Sequence, residues 1–133
     1  MNDSLYELSN KLNYQFKNTA LLELALTHRS ASSVNNERLE YLGDAILGFV
    51  IAESLYQKYA DASEGILTRQ RASLVKKETL ANLAKELDLG KFLYLGTGEM
   101  KSGGWRRDSI LSNTLEAITG AIYLDSDLDN FQE

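Results

Sequence analysis

The run Asn36-Glu37-Arg38-Leu39-Glu40-Tyr41-Leu42-Gly43-Asp44-Ala45 leads without a proline into ILGFVIAESLYQKY, which ends at Tyr59. Its apolar residues recur at the spacing of an amphipathic helix, and one long helix is predicted from Asn36 to Tyr59. With Glu37 at zero on a wheel of about 100° per residue, Glu40 falls at about 300°, Asp44 at about 340° and Gly48 at about 20°. Leu39, Leu42, Ile46, Phe49 and Val50 fall between about 120° and 220°, so the face opposite the acids is the predicted core stripe. An acidic helix face is ordinarily a solvated one. Here, however, like charges at i,i+3 and i,i+4 cost roughly 0.2–0.5 kcal/mol per pair, and no lysine stands among them. A bound cation would relieve them.

A last helix, predicted over Asp108–Leu124, repeats the arrangement. Asn113, Glu116 and Gly120 line one side, and Leu111, Leu115, Ile118 and Ile122 the other. Each polar face ends in a glycine. If the two helices pack side by side, Gly48 and Gly120 are expected to let the backbones approach, so that Glu40, Asp44, Asn113 and Glu116 converge. Oxygen ligands of this kind suit Mg²⁺ or Mn²⁺, and such a site hydrolyses phosphodiesters by activating water and stabilising the leaving oxygen. Solvated acids at helical spacing remain the other reading.

Around these segments the chain reads as helical throughout. Helices are predicted at Asp3–Leu12, from Asn18 through LLELALTH, at Gly65–Val75 and at Glu78–Leu87, with Gly90 as a left-handed cap after the last of these. Leu95–Gly104, LGTGEMKSGG, reads as one exposed loop. Strand signals are nearly absent, and the 133 residues contain no proline. With 44% apolar and 25% charged residues, one domain spanning 1–133 with a real core is expected, and disorder is excluded. The longest apolar run, Ala45–Ala52, is far short of the roughly 20 residues that cross a bilayer. No membrane partner is expected. The absence of cysteine and of a secretory start points to the cytoplasm. Zero Cys and one His also exclude thiolate nucleophiles and Cys/His zinc sites. Carboxylates are the chemistry that remains.

The formal charge is −5, but it is uneven: residues 1–65 hold 5 basic and 9 acidic side chains, 66–107 hold 9 and 4, and 108–133 hold none and 6. Phosphate affinity comes from Lys and Arg, and Arg69, Arg71, Lys76, Lys77, Lys101, Arg106 and Arg107 offer a basic surface beside acidic segments. An ordinary mixed surface fits the same counts.

Residues 36–45 resemble the signature motif of ribonuclease III. Four further segments agree in order: LALTHRS at Leu24–Ser30, Glu64-Gly65 with Leu67-Thr68, GTGEMKSGG with Arg106-Arg107, and LEAITGAIYLD at Leu115–Asp125. The resemblance, to the catalytic domain of the bacterial enzymes, covers nearly the whole chain. It implies an all-α, dimeric endonuclease domain. The implied activity is Mg²⁺-dependent cleavage of double-stranded RNA, with Mn²⁺ as a substitute, in RNA processing such as rRNA maturation. Products would carry 5′-phosphate and 3′-hydroxyl ends with short 3′ overhangs.

Carried over by position, the resemblance implies Glu40, Asp44, Asn113 and Glu116 as metal ligands, with Asp44, Glu116 and Glu40 as the catalytic acids. Glu37 and Glu64 would be further acids of the catalytic valley. The common family residue at position 113 is Asp, and Asn offers an oxygen without charge, which lowers metal affinity unless neighbours compensate. Asn113 therefore supports an alternative, a catalytically weakened dimeric RNA-binding or ribosome-associated module. Tyr41 is implied as the aromatic that enters a socket on the second subunit of a homodimer. Arg69, Arg71, Lys101, Arg106 and Arg107 are the candidate RNA contacts. His28 reads as structural, and Trp105 as an anchor for its loop or an RNA contact. The chain stops where relatives continue into a double-stranded-RNA-binding domain, so an excised nuclease domain is expected.

Overall fold

The computed structural model describes residues 3–132, with side chains described through Ser126. Among them the chain is all-α: α1 (Asp3–Leu12), α2 (Thr19–Leu26), α3 (Glu37–Lys58), α4 (Glu64–Val75), α5 (Lys77–Glu86), α6 (Thr97–Lys101) and α7 (Asp108–Gln132), with 3₁₀ turns at Leu89–Phe92 and Gly104–Arg106. One isolated parallel bridge joins Thr27 to Tyr94. No helix among the described residues is long and apolar enough to cross a membrane.

Side-chain caps explain several of the boundaries. Asn18 Oδ1 accepts from Ala20 N at 3.1 Å to open α2, and Ser63 Oγ accepts from Ile66 N at 3.3 Å to open α4, each satisfying an otherwise unpaired first-turn donor. After α5 the left-handed residue is Asp88, at φ 55°, and not the expected Gly90. Asp tolerates that conformation better than most side chains. Gly90 serves packing instead: a Cβ there would lie 2.2 Å from Trp105 O. The expected loop at 95–104 is also more structured than its glycines suggest. It holds α6, and Gly103 and Gly104 are buried.

α7 is the central element, packed against α2, α3 and α5. The core joins Leu5 and Leu8 of α1, Leu22 and Leu26 of α2, Leu39 of α3, Ala81 and Ala84 of α5, and Leu111, Ala117, Ile118 and Ala121 of α7. Farther along α7, buried Asp125 accepts from Tyr14 Oη at 2.6 Å, Lys17 N at 3.0 Å and Asn18 N at 2.9 Å, tying that helix to the α1–α2 link.

The predicted core stripe of α3 holds at Leu39 but fails farther along. Phe49 is 66% and Val50 48% exposed. α3 meets α7 around Leu39 and Gly43, whereas its C-terminal half has Leu55 buried and shares a groove with α4. These contacts leave Phe49 and Val50 uncovered. α4 itself buries no residue.

Candidate active site

The crossing of α3 and α7 is set by glycine, but by Gly43 and not by the expected Gly48. A Cβ on Gly43 would lie 1.6 Å from Glu116 O, and one on Gly120 would lie 2.6 Å from Leu39 O, while nothing stands within 4 Å of a Cβ on Gly48. The backbones therefore touch where no side chain fits. A glycine inside a helix costs up to about 1 kcal/mol relative to alanine, so both Gly43 and Gly48 carry a signal of close packing, and the wheel favoured Gly48 because it falls on the acidic face while Gly43 falls at about 240°.

This contact places Glu40 and Asp44 of α3 opposite Glu116 of α7. With Glu37 and Tyr41 they line an open cleft of about 510 Å³. A neighbouring cleft of about 310 Å³ shares Glu37 and Glu40 and adds His28, Arg29, Ser109 and Asn113. Glu40 thus belongs to both clefts, and Asn113 lies beyond it from Asp44 and Glu116. Glu64 is not brought to these acids within the chain. It lines a third groove with Ala52, Leu55, Tyr56, Leu67, Thr68 and Arg71.

Crowding of like charges shows in the titration of the acids. Burial first, then a hydrogen bond and charge from Asp44 and the charge of Glu40, push the Glu116 carboxyl up to about 8. Burial and the charges of Glu37 and Asp44 raise Glu40 as well, with Arg29 opposing them. Burial and crowding thus favour the protonated form of Glu116, and a cation would relieve the crowding. The donors are all oxygen, which fits a hard divalent ion. Among the described residues no three Asp, Glu or His side chains already stand as a metal cage. Mg²⁺ is commonly held by one or two carboxylates together with waters and substrate phosphate, so the donor set fits that ion without a cage.

The site's first turn is anchored from below. Asn36, 4% exposed, donates from Nδ2 to Ala25 O at 3.0 Å, and its backbone N donates to Thr27 O at 2.9 Å. His28 is structural in its contacts: Nδ1 lies 2.8 Å from Ser30 Oγ and accepts from Ser30 N at 3.1 Å, and burial leads the effects that lower its pKa.

The candidate RNA contacts divide. Arg107 is held by Glu99 Oε2 at 2.7 Å and by Ser102, Arg106 lies over the ring of half-exposed Trp105 at 5.6 Å, and Lys101 is exposed at the end of α6. Arg69 and Arg71 stand on α4, with Arg71 in the third groove. Arg29 lines the cleft that holds Glu37, Glu40 and Asn113. Sequence reading passed over it, although it lies in LALTHRS, shortly before the acidic helix.

A family model described as Ribonuclease-III-like matches residues 18–133. The chain is 58% identical over 129 residues to Ribonuclease 3 of Aliivibrio fischeri, covering 97% of this chain and 58% of that one. It is 59% identical over 133 residues to Ribonuclease 3 of Pseudomonas putida, covering 100% and 58%. The chain thus spans somewhat over half the length of these relatives. Its fold superposes on a nuclease-domain structure of ribonuclease III from Campylobacter jejuni, concerned with flexibility in that domain's dimer-forming region, with a TM-score of 0.91, 45% identity and coverage of 95% and 89%. Dicer from Pichia stipitis is more distant, with a TM-score of 0.68, 28% identity and coverage of 89% and 51%. From the signature helix to the α3–α7 crossing, the chain belongs to the ribonuclease III-like family.

Proposed function

We propose that this chain is the catalytic domain of a cytoplasmic, Mg²⁺-dependent endoribonuclease that cuts double-stranded RNA as a homodimer, in RNA processing such as rRNA maturation. The observation that carries this reading is the set of carboxylates facing one another across a glycine contact, in an open cleft, on a chain of this family. Glu40, Asp44 and Glu116, with Asn113 beyond Glu40, are the residues that would hold the ion. When bound, Mg²⁺ or Mn²⁺ supplies Lewis acidity to the scissile phosphate and lowers the pKa of the attacking water.

The chain's own residues do the rest. Gly43 and Gly120 fix the distance between the two helices, and Asn36 fixes the start of α3, so the carboxylates are positioned before substrate arrives. Burial and the neighbouring carboxylates favour the protonated form of Glu116, and a cation held there would favour its carboxylate. The expected products carry 5′-phosphate and 3′-hydroxyl ends with short 3′ overhangs.

Homodimerisation is supported by the apolar surface of α3 and α4. Tyr41 is 81%, Phe49 66% and Tyr56 73% exposed, with Ile66 and Leu74 also exposed. Gln70 Oε1 on α4 is buried without a hydrogen-bond partner among the described residues. Large apolar side chains left exposed along two neighbouring helices fit an association surface.

The test is incubation of the chain with a long RNA duplex and Mg²⁺ or Mn²⁺, with analysis of product ends. Cleavage that requires the ion and is lost in Glu116→Gln supports the reading. A parent that binds the duplex and never cuts it favours a weakened RNA-binding module, the reading that the uncharged Asn113 supports.

A further inference from the structure

Resting on that reading, we propose that Arg29 seats a backbone phosphate of the RNA strand beside the carboxylates, in the cleft that it lines with His28, Ser109 and Asn113.

Charge balance is the first argument. Glu37, Glu40, Asp44 and Glu116 line the two clefts, which share Glu37 and Glu40, and among the described residues Arg29 is the one permanently cationic residue lining either of them. A polyanion entering such clefts needs positive charge at the point of entry. Arg107 is engaged by Glu99 and Ser102, Arg71 lines the groove between α3 and α4, and exposed Arg38 of α3 lines neither acidic cleft.

Rigidity is the second. The turn that carries Arg29 is pinned on both sides. His28 N donates to Tyr94 O at 3.0 Å and Ala31 N to His28 O at 2.9 Å. Ser30 Oγ accepts from Gly96 N at 2.9 Å. Gly96 admits no side chain, because a Cβ there would lie 2.2 Å from Ser30 O. A fixed base removes the backbone share of the ordering cost and leaves that of the side chain.

Availability is the third. The Arg29 side chain is 73% exposed, and its ion pair is with Glu37 at 3.9 Å, itself 58% exposed. An exposed pair of this length is weak, so it does not hold the group in place. A phosphate offers the planar fork two charge-assisted hydrogen bonds, a stronger partner than the carboxylate it leaves.

The experiment compares the parent chain, Arg29→Gln and Arg29→Lys on one RNA duplex. Cleavage is followed in Mg²⁺, and binding is followed without divalent ion over a range of salt. For Arg29→Gln we expect KM to rise about tenfold with kcat changed less, and the slope of log affinity against log salt to fall by about 1. Arg29→Lys keeps the charge and should restore the slope while recovering only part of KM. Thermal melting should follow the parent in both variants. If Arg29→Gln matches the parent in KM and in salt slope, the assignment fails while the nuclease reading stands. If the parent itself neither binds nor cuts the duplex, the nuclease reading fails and takes the assignment with it.

Discussion

The two halves of α3 meet their surroundings in opposite ways. Around Gly43 the helix lies backbone to backbone against α7, with Leu39 buried and the acids gathered at one crossing. Around Phe49 and Tyr56 the same helix presents large apolar side chains to solvent, beside an α4 that buries nothing. One half is finished by the chain itself, and the other has the composition of a core without its cover. A single amphipathic pattern can therefore serve an internal contact over one stretch and an external one over the next.

The strongest way to break this comparison is to add one methyl group to each half. Gly43→Ala drives a Cβ to 1.6 Å from Glu116 O, a clash with backbone that no rotamer relieves. We expect a loss at or beyond the upper end of the roughly 1–3 kcal/mol typical of overpacking. Gly48→Ala meets nothing within 4 Å and should gain roughly 0.5–1 kcal/mol from helix propensity. Denaturant melts of the two variants give the answer, and equal shifts would remove the distinction between the halves.

α7 owes its place to Asp125 as well as to the glycines, and its loss ranks next. Burial alone would raise this carboxyl, but hydrogen bonds from Tyr14, Lys17 N and Asn18 N, with the charge of Lys17, outweigh that and hold it below the ordinary carboxylate range. A pKa depressed by folding contributes stability above the unfolded value of about 3.9 and loses it as pH falls through the folded value. Asp125→Asn turns one acceptor into a donor facing donors. It should cost about 1–3 kcal/mol at pH 7, with the gap to the parent narrowing below about pH 4. A gap that stays constant from pH 7 to pH 3 would show that the charge of Asp125 is not what matters.

Much of this was legible in the residues. Local periodicity located α3 and the start of α7 closely, because an amphipathic helix declares itself over a few turns, although α7 runs on to Gln132, past the expected end at Leu124. The acids Glu40, Asp44 and Glu116 were legible for the same reason. What the residues did not declare depends on neighbours distant in sequence. The wheel pointed to Gly48, on the acidic face, and only the position of Glu116 O shows that Gly43 is the one at the contact. Phe49 and Val50 carry a core pattern whether the covering surface comes from this chain or another. The positive φ of Asp88 and the helix inside LGTGEMKSGG escaped because glycine was read as the sole marker of turns. Arg29 escaped because only folding brings it to the cleft lined by Glu37 and Glu40 of α3 and Asn113 of α7.

Smaller effects should follow on the uncovered half of α3. Phe49→Asp places charge on a side chain already 66% exposed, so the stability of the isolated subunit should move by no more than roughly 0.5 kcal/mol. Association of a homodimer should weaken by about 1–2 kcal/mol, roughly tenfold, if Phe49 lies under a partner. Tyr41→Ala should weaken it too. Sedimentation at micromolar concentration reads both, and a parent that is monomeric throughout would leave this half without the cover proposed for it.

The smallest expected effect returns to the crossing, at Asn113. Asn113→Asp adds a carboxylate to the cleft that already holds Glu37 and Glu40, with Arg29 as a partial counterweight. Without a divalent ion the variant should be slightly less stable, by under about 1 kcal/mol, since an added like charge is only partly compensated there. With Mg²⁺ the order should change, because a ligand that binds the folded state more tightly stabilises it more at the same concentration. Cleavage by the variant should then reach its maximum at lower Mg²⁺. Thermal melting with and without Mg²⁺ separates the two contributions, and titration of cleavage against Mg²⁺ checks them independently. If parent and variant respond identically in both measurements, residue 113 contributes no oxygen to the ion, and the site consists of Glu40, Asp44 and Glu116 alone.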